Sequence, residues 1–402
     1  MILTSKKFTT TTGQVLCGLL ILAILTGCED VKEEFVYAKN SDGSDNKSII
    51  VNYIGNNRDI IIPDSVTTIG EEAFDYKNIG SVVLPDSLIT IGNNAFNHSG
   101  LKSVILPDSL TVIGDGAFSH NKLTSVSIPS SVTIIGERAF ERNKLTSVTI
   151  PDSVNNIGKR AFNNNVLSTL DNLPSNGFIF ARNDNGTENK KVVVSYAGID
   201  KEIVIPDSVT TIGEEAFSDN QLTGVTIPDS VTTIGEKAFY DNELNNVSLS
   251  GSLTTIGKDA FRKNKLTSVV LPDSLSTIGQ AAFSENQLTS VTLSGSLTTI
   301  SEEAFSENQL TNVTIPSSVI TIGYGAFLKN KLNSITIPDS VTTIGMRAFS
   351  KNNLTSVTFP YSLVTIGREA FRYNKLTSVI LPYSVATIGT MAFDYSVERK
   401  RN

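Results

Sequence analysis

The sequence contains no tryptophan, only two cysteines and only two histidines. A catalytic site needs several unlike side chains that converge in one pocket, and few residues of this chain depart from its regular pattern. His98 and His120 occupy the same position of two successive repeat units, but without further ligands they make a weak metal pair. We therefore expect neither an enzyme nor a metal or cofactor site.

Basic residues are in the minority, because 33 Lys and Arg stand against 40 Asp and Glu and give a formal net charge of −7. A negative protein is not drawn to the phosphates of nucleic acid or to an anionic lipid surface. Nucleic acid is therefore not expected as the main partner.

Long apolar runs are scarce as well, and the clearest one, from Val15 to Leu25, follows a basic start with Lys6 and Lys7. It is too short to span a bilayer comfortably, and the layout is typical of a secretory signal peptide, predicted here for residues 1–27. The run ends in LTGC, which resembles the lipobox of bacterial lipoproteins. The resemblance implies a lipid on the sulfur of Cys28.

Cleavage before Cys28 would also remove Cys17, so the mature chain would have no disulfide and would depend on core packing. Residues 28–34, CEDVKEE, are predicted to form an acidic tether. They resemble the surface-export signal of some Gram-negative lipoproteins, and a plain solvated linker is the alternative. We expect a lipid-anchored protein of the outer membrane or cell surface, and the sequence leaves open which face of the envelope it occupies.

Phenylalanine recurs at one constant interval in two series. The first series is Phe74, Phe96, Phe118, Phe140 and Phe162, and the second is Phe217, Phe239, Phe261, Phe283, Phe305, Phe327, Phe349, Phe371 and Phe393. A typical unit, residues 266–287, reads LTSVVLPDSLSTIGQAAFSENQ. It predicts a strand (LTSVVLP), a turn (PDS), a second extended piece (STIG) and a helical turn (QAAF). No unit can bury its own apolar face, so the units must stack into a solenoid with one continuous core.

The segment LTGVTIPDSVTTIGEKAF, residues 222–239, resembles the BspA-like class of leucine-rich repeats. Units of this kind cover nearly all of the mature chain. The resemblance implies a repeat solenoid that is mostly β with short helical turns, and a role in adhesion or interaction. This chain departs from the commonest family pattern in its shorter loop after the phenylalanine.

An asparagine stands three positions after most of the phenylalanines, and we expect these amides to stack and to bond loop backbone groups. The column is Asn121, Asn143, Asn165, Asn220, Asn242, Asn264, Asn286, Asn308, Asn330, Asn352 and Asn374.

A larger duplication is superimposed on the repeat, since the segment that starts at Phe35 reappears without a gap at Phe178. Both copies read as a β-hairpin with a polar turn, NSDG or NDNG. The predicted organisation is a hairpin cap (35–62), a first repeat array (63–165), a junction with a second hairpin cap (166–205) and a second array (206–402). The junction could be rigid or a hinge. No comparable cap is predicted at the C-terminal end, where Glu398 to Arg401 are charged.

The outward residues of the LTSVTIP strands form a small, uncharged ladder that suits an extended partner, either a protein strand or a glycan. The candidate residues are Ser290, Thr292, Asn312, Thr314, Ser334, Thr336, Ser356 and Thr358. The alternative is that threonine serves only the strand conformation.

Aromatic residues break the pattern in the last units, where Tyr361 and Tyr383 replace the turn aspartate of PDS. Phe359 precedes the first of them, and Tyr373 lies in the loop between. Exposed aromatics are effective contact residues, so these four form a candidate binding patch. Neutral variation in late repeats is the alternative.

The favoured hypothesis is a membrane-anchored, surface-exposed leucine-rich repeat lipoprotein that binds a protein or glycan. The second hypothesis is a periplasm-facing scaffolding lipoprotein.

Overall fold

The computed structural model describes residues 34–170, 173–174 and 176–402. Residues from Phe35 to Asn402 form one compact unit. The predicted signal peptide, Cys28 and nearly all of the acidic tether lie outside the described residues.

Most repeats contribute one coil with two short strands, one on each side of the PDS turn, and a few lack the first of the two. Strands of the first kind, here called SVT strands, are β3 (Asp59–Ile61), β5 (Ser81–Val83), β8 (Ser125–Ser127), β10 (Ser147–Thr149), β12 (Thr169–Leu170), β16 (Glu202–Val204), β18 (Gly224–Thr226), β21 (Ser268–Val270), β23 (Ser290–Thr292), β26 (Ser334–Thr336), β28 (Ser356–Thr358), β30 (Ser378–Leu381) and β32 (Glu398–Arg401). Strands of the second kind, here called TI strands, are β4 (Thr68–Ile69), β6 (Thr90–Ile91), β7 (Val112–Ile113), β9 (Ile134–Ile135), β11 (Asn156–Ile157), β17 (Thr211–Ile212), β19 (Thr233–Ile234), β20 (Thr255–Ile256), β22 (Thr277–Ile278), β24 (Thr299–Ile300), β25 (Thr321–Ile322), β27 (Thr343–Ile344), β29 (Thr365–Ile366) and β31 (Thr387–Ile388). The remaining strands are β1 (Phe35–Lys39), β2 (Asp45–Tyr53), β13 (Leu173–Pro174), β14 (Phe178–Arg182) and β15 (Glu188–Tyr196).

Neighbouring coils pair in parallel with a register of one repeat, so each side chain lies beside its own counterpart. Thr68 pairs with Thr90 and Ile69 with Ile91, for example. The TI strands form sheets of seven, six and five strands, of which the first two begin with a hairpin. The predicted β-solenoid is therefore confirmed.

The expected helical turn around the phenylalanine is wrong, since the described residues contain no helix. Lys237 and Asp241, which flank Phe239 at two positions before and after it, have positive φ angles of 51° and 55°, and most coils repeat this pair. Left-handed backbone costs roughly 1 kcal/mol per residue. In return, alternate N–H groups point at the next coil, as in Phe239 N–H to the carbonyl of Ala260 at 2.8 Å. In a helix these N–H groups would instead donate to carbonyl groups of the same segment. In the same ranges no helix is long and apolar enough to cross a membrane.

The phenylalanines form two columns of stacked, fully buried rings. Centroid separations run from 4.9 Å for Phe74 and Phe96 to 5.7 Å for Phe305 and Phe327. Burying one such side chain contributes about 1.5–3 kcal/mol. A single coil covers only one face of its ring, so this contribution requires a neighbour on each side.

The asparagine column is confirmed as a hydrogen-bond ladder. In Asn286, Nδ2 donates to the carbonyls of Phe261 at 2.9 Å and Phe283 at 3.2 Å. Its Oδ1 accepts the N–H of Leu266 at 3.1 Å. One amide thus satisfies backbone groups of two adjacent coils in a loop that has no strand pairing of its own.

Both duplicated segments are antiparallel hairpins, formed by β1 with β2 and by β14 with β15, and they share the same register shifts. Each hairpin adds to a TI sheet, because β2 pairs with β4 and β15 with β17. Phe35 and Tyr53 pack on Phe74 at 6.3 and 5.4 Å and end the first ring column. Phe178 and Tyr196 do the same for Phe217.

The second hairpin has two buried faces. Phe178 and Tyr196 belong to the core of the coils that follow, here called the second array (206–402). Ile179 and Ala197 belong to the core of the coils that precede it, here called the first array (63–165). The Leu167 N–H donates to the Ala197 carbonyl at 2.9 Å. The predicted boundaries of the two arrays stay a prediction.

A buried ion cluster joins the two arrays beside this hairpin. Arg160 pairs with Glu141 of its own array and with Glu215 and Asp219 of the second, at 3.3 and 2.7 Å for the last two. Arg138 reaches Glu215 at 2.9 Å. Burial would raise the pKa of the Glu215 carboxyl, but these cations hold it below its usual value. Arg160, Glu141 and Glu215 are the buried members, and any one of them left unpaired would be costly, so the cluster fixes how the arrays meet.

The C-terminal end differs from expectation, because the charged residues from Glu398 to Arg401 form β32, which pairs in parallel with β30. All four side chains are exposed, while Val397 beside them is buried. The last residues therefore continue the SVT ladder with an edge of charged side chains, which disfavours further strand addition.

The asparagine ladder generates a stability prediction. Asn286→Ala leaves the Leu266 N–H unpaired and removes one of the two amide donors to each of the Phe261 and Phe283 carbonyls, so we expect the free energy of unfolding to fall by about 1–3 kcal/mol. Urea denaturation followed by circular dichroism measures the change. Gln287→Ala, on an exposed neighbour, is the matched control and should shift stability by under about 0.5 kcal/mol. Equal effects from the two variants would show that the ladder is not stabilising.

The duplicated hairpin turns offer a second, internally controlled prediction. Gly43 and Gly186 have φ angles of 83° and 80° at equivalent positions, so alanine strains both turns alike. A Cβ on Gly186 would overlap the Asp152 carbonyl oxygen of the first array, whereas a Cβ on Gly43 meets nothing within 4 Å. Gly43→Ala should cost about 1 kcal/mol and Gly186→Ala at least about 2 kcal/mol more. Thermal denaturation compares them, and equal melting temperatures would contradict the close contact.

Candidate functional site

The candidate ladder residues all point away from the core and are exposed. Ser290 and Thr292 lie on β23, while Ser334 and Thr336 on β26 pair with Ser356 and Thr358 on β28. The ladder is not one continuous sheet, because the segment that carries Asn312 and Thr314 forms no strand. Hydroxyl pairs therefore recur in patches rather than in one unbroken row.

Tyr361 and Tyr383 are 72% and 74% exposed, and they stand at the same turn position of adjacent coils. Exposure of this degree leaves most of each ring available to a partner. The structure thus leaves both rings exposed on neighbouring coils, and their role as contact residues stays a prediction.

Phe359 and Tyr373 do not join them as expected. Phe359 is half-buried, and its ring packs edge-on against Phe371 at 5.4 Å and Phe393 at 6.3 Å. It occupies the core position that Ile337 holds one coil earlier, so the repeat itself could have predicted this burial. Tyr373 lies in the phenylalanine loop under the Arg372 guanidinium, which is 4.5 Å from its ring.

A groove of about 500 Å³ runs along the SVT strands next to Tyr361. Its walls include Ser356 and Thr358, the edge of Phe359, and Ile380 of the following coil. The Asn402 side-chain amide donates to the Tyr361 hydroxyl at 3.3 Å and borders the groove at the C-terminal end. Four of the candidate residues, Ser356, Thr358, Phe359 and Tyr361, therefore meet around one concave surface, and neither Tyr373 nor Tyr383 is among its walls.

An exposed aliphatic row, which the sequence reasoning missed, begins just before the first array and continues into it. Ile61, Val83 and Ile105 are exposed at the outward position of three successive coils. The same position holds Ser127 and Thr149 in the next two coils. The signal was available, because the repeat register shows these residues pointing outward.

The two histidines stack on each other, with ring centroids 4.0 Å apart, and His98 also stacks on Tyr76. Burial, together with His98 and Arg142, lowers the pKa of His120 to about 4, so this imidazole is neutral near pH 7. Parallel rings do not direct two nitrogens at one ion. Within the described ranges, no three His, Cys, Asp or Glu side chains are grouped as metal ligands.

The histidines border a cavity of about 670 Å³ at the meeting of the two arrays. Arg142 and Lys144 contribute from the first array, and Asp219 and Asp241 from the second. The two walls carry opposite charges, so they neutralise each other and do not select a ligand of one sign.

Comparison with solved structures shows the same fold in several bacterial proteins. The pneumococcal vaccine antigen PcpA is 24% identical, with 77% of each chain covered and a TM-score of 0.55. A leucine-rich repeat protein from Bacteroides ovatus is 23% identical over 92% of this chain and 99% of that one, with a TM-score of 0.51. A leucine-rich repeat protein from Eubacterium ventriosum is 21% identical over 87% and 88%, with a TM-score of 0.52.

Comparison with curated protein sequences gives no match. The family described as BspA type leucine rich repeat region matches six times, over residues 51–168, 199–309 and 277–399. These ranges contain both phenylalanine series and most of the chain. The chain therefore belongs to the BspA-type leucine-rich repeat family.

Proposed function

We propose that this chain is a lipid-anchored, surface-exposed lipoprotein that binds an extended protein or glycan partner along the face formed by its SVT strands, here called the SVT face. The observation that carries the proposal is the groove beside Tyr361, where this exposed tyrosine and the uncharged strand residues Ser356 and Thr358 border one concave surface. Tyr383 is exposed at the equivalent turn position of the next coil. We assign the protein no catalytic role.

The chemistry of the groove supports a binding role. Tyrosine offers a large apolar ring with few rotatable bonds and a hydroxyl that can bond, which suits contact residues. The hydroxyls of Ser356 and Thr358 can donate or accept, so they can meet backbone amides or sugar hydroxyls. An open groove along neighbouring strands favours a partner laid along it over an enclosed small molecule.

The anchor half of the proposal depends on residues 1–34. The LTGC at residues 25–28 supports lipidation of Cys28, and CEDVKEE supports an acidic tether between the lipid and the first hairpin. Two or more acyl chains would give a stable anchor without a transmembrane helix. A periplasm-facing scaffold with the same anchor is the second candidate.

The location is tested by antibody labelling of the native protein on intact cells, before and after protease treatment. We expect labelling that protease abolishes. Cys28→Ser is the matched variant, and it should release the protein from the membrane fraction without changing its circular dichroism spectrum. Labelling seen only after permeabilisation would contradict surface exposure and favour the scaffold.

The groove is tested by binding of the purified protein to arrays of extracellular proteins and glycans. Tyr361→Ser combined with Tyr383→Ser should weaken binding at least tenfold, since losing two aromatic anchors costs about 2 kcal/mol or more. Tyr373→Ser makes the same chemical change away from the groove and should leave binding within twofold. Unchanged binding in the double variant would exclude the tyrosines as contact residues.

A further inference from the structure

The two duplicated hairpins have the same fold but differ in what covers their outer face. In the second hairpin, Ile179 is 1% and Ala197 0% exposed, because both pack into the core of the first array. Their counterparts in the first hairpin, Val36 and Ile54, are 37% and 62% exposed. Val51, the counterpart of Val194, is exposed as well. The first hairpin thus carries an uncovered copy of a face that elsewhere in the chain is an interface; we call Val36, Val51 and Ile54 the head face.

We call the contact between the second hairpin and the first array the internal joint. In this joint the equivalent face packs against the last coil of the first array. There β11 lies beside β14, and the Arg160 N–H donates to the Val194 carbonyl at 3.4 Å. The coil that holds β31 corresponds to the β11 coil, with Phe393 at the position of Phe162. Both β11 and β31 are the last strands of their TI sheets.

The β31 coil presents uncharged groups where the internal joint has charges. Met391 takes the place of Arg160 and Thr390 the place of Lys159. Met391 is exposed, and Ile388 is half-buried where Ile157 is buried. We call Ile388, Thr390 and Met391 the tail face.

A charged position of the internal joint is also uncharged beside the head face. Asp219, which pairs with Arg160 in the joint, corresponds to Tyr76 at the head, and Tyr76 is exposed. An ion pair in the joint therefore corresponds to a methionine and a tyrosine at the two free ends. Thioether and aromatic groups attract each other by about 0.3–1.5 kcal/mol.

The remaining charges at the two ends are complementary. Glu71 and Glu72 are exposed beside the head face, in the places of Glu214 and Glu215. The position of Arg138 is taken by Glu369 near the tail. Three cations surround that carboxylate at 2.7–3.5 Å and leave a local excess of positive charge. They are Arg347, Arg368 and Arg372.

We propose that the head face binds the tail face of a second copy of this chain, in the arrangement that the second hairpin already makes with the first array. Such a contact joins two different surfaces, so each bound pair still has one free head and one free tail. Short chains of molecules are the consequence.

Paired cysteines test this contact in the full-length protein. Val51→Cys and Met391→Cys are placed on separately tagged copies and co-expressed, since their counterparts Val194 and Arg160 share a backbone hydrogen bond in the internal joint. We expect a disulfide-linked pair that carries both tags. Val83→Cys with Met391→Cys is the matched control, because Val83 is exposed but lies on an SVT strand. Cross-links of equal yield in the control, or only between two heads, would overturn the proposal.

A second experiment does not depend on disulfide geometry. Sedimentation of residues 34–402, which contain the whole compact unit, should show oligomers that grow with concentration. Val36→Asp with Ile54→Asp should abolish them, while Ile61→Asp with Ile105→Asp, on the exposed aliphatic row, should not. A wild-type unit that stays monomeric throughout overturns the proposal. The proposal is also overturned if the protein stays monomeric and Val36→Asp with Ile54→Asp abolishes its binding to phosphatidylethanolamine vesicles. The head face would then be a contact for a lipid surface.

Discussion

The asparagine amide ladder is the interaction on which the solenoid depends. The loop after each phenylalanine lacks strand pairing, so its buried carbonyls need partners from side chains. Asn308 supplies them by donating to Phe283 of the preceding coil and Phe305 of its own, at 2.9 and 3.3 Å. Each amide must reach the preceding coil and no further. A change in the length of one loop would therefore break hydrogen bonds with the neighbouring coils. The constancy of the repeat period follows from this geometry as much as from the core.

The ends of the ladder show the same requirement met by other groups. In the second coil Ser99 stands at the asparagine position, and its hydroxyl donates to the Phe74 carbonyl at 2.7 Å. After the last asparagine, Asp394 accepts the backbone N–H groups of Tyr373 and Asn374 at 3.2 Å each. The backbone groups of the loop thus have a polar side-chain partner at both ends of the ladder. That partner is a donor where a carbonyl needs one and an acceptor where N–H groups need one.

The repeat made the coils, the paired hairpins and the amide ladder predictable, because each of these is a local pattern copied many times. Two kinds of feature could not be predicted this way. The QAAF piece is too short for its periodicity to distinguish a helical turn from a turn that contains left-handed residues. The buried cluster at Arg160 also escaped notice, since Arg347 holds the same repeat position and is 42% exposed in its side chain. Burial at that position is decided by what packs on the coil, and Glu215 comes from a distant part of the chain, beyond the second hairpin. In the candidate site, the turn register indicates equivalent positions for Tyr361 and Tyr383, which are both exposed, and their role in binding stays a prediction. Phe359 was misjudged from its residue type, although its register marked it as a core position.

A hairpin of one design serves in this chain as both a joint and an end, and the difference lies in the residues that face it. At the joint, Arg160 is enclosed by Glu141, Glu215 and Asp219, a pairing that adds little net stability because desolvation offsets most of the attraction. Its effect is selectivity, since any other placement of the two arrays would bury one of these charges alone. At the first hairpin the equivalent surface is aliphatic with Tyr76 beside it, so contact there would gain from apolar burial with little penalty for dissociation. A permanent internal joint is thus specified by buried charge, and the exposed copy has the composition of a reversible contact.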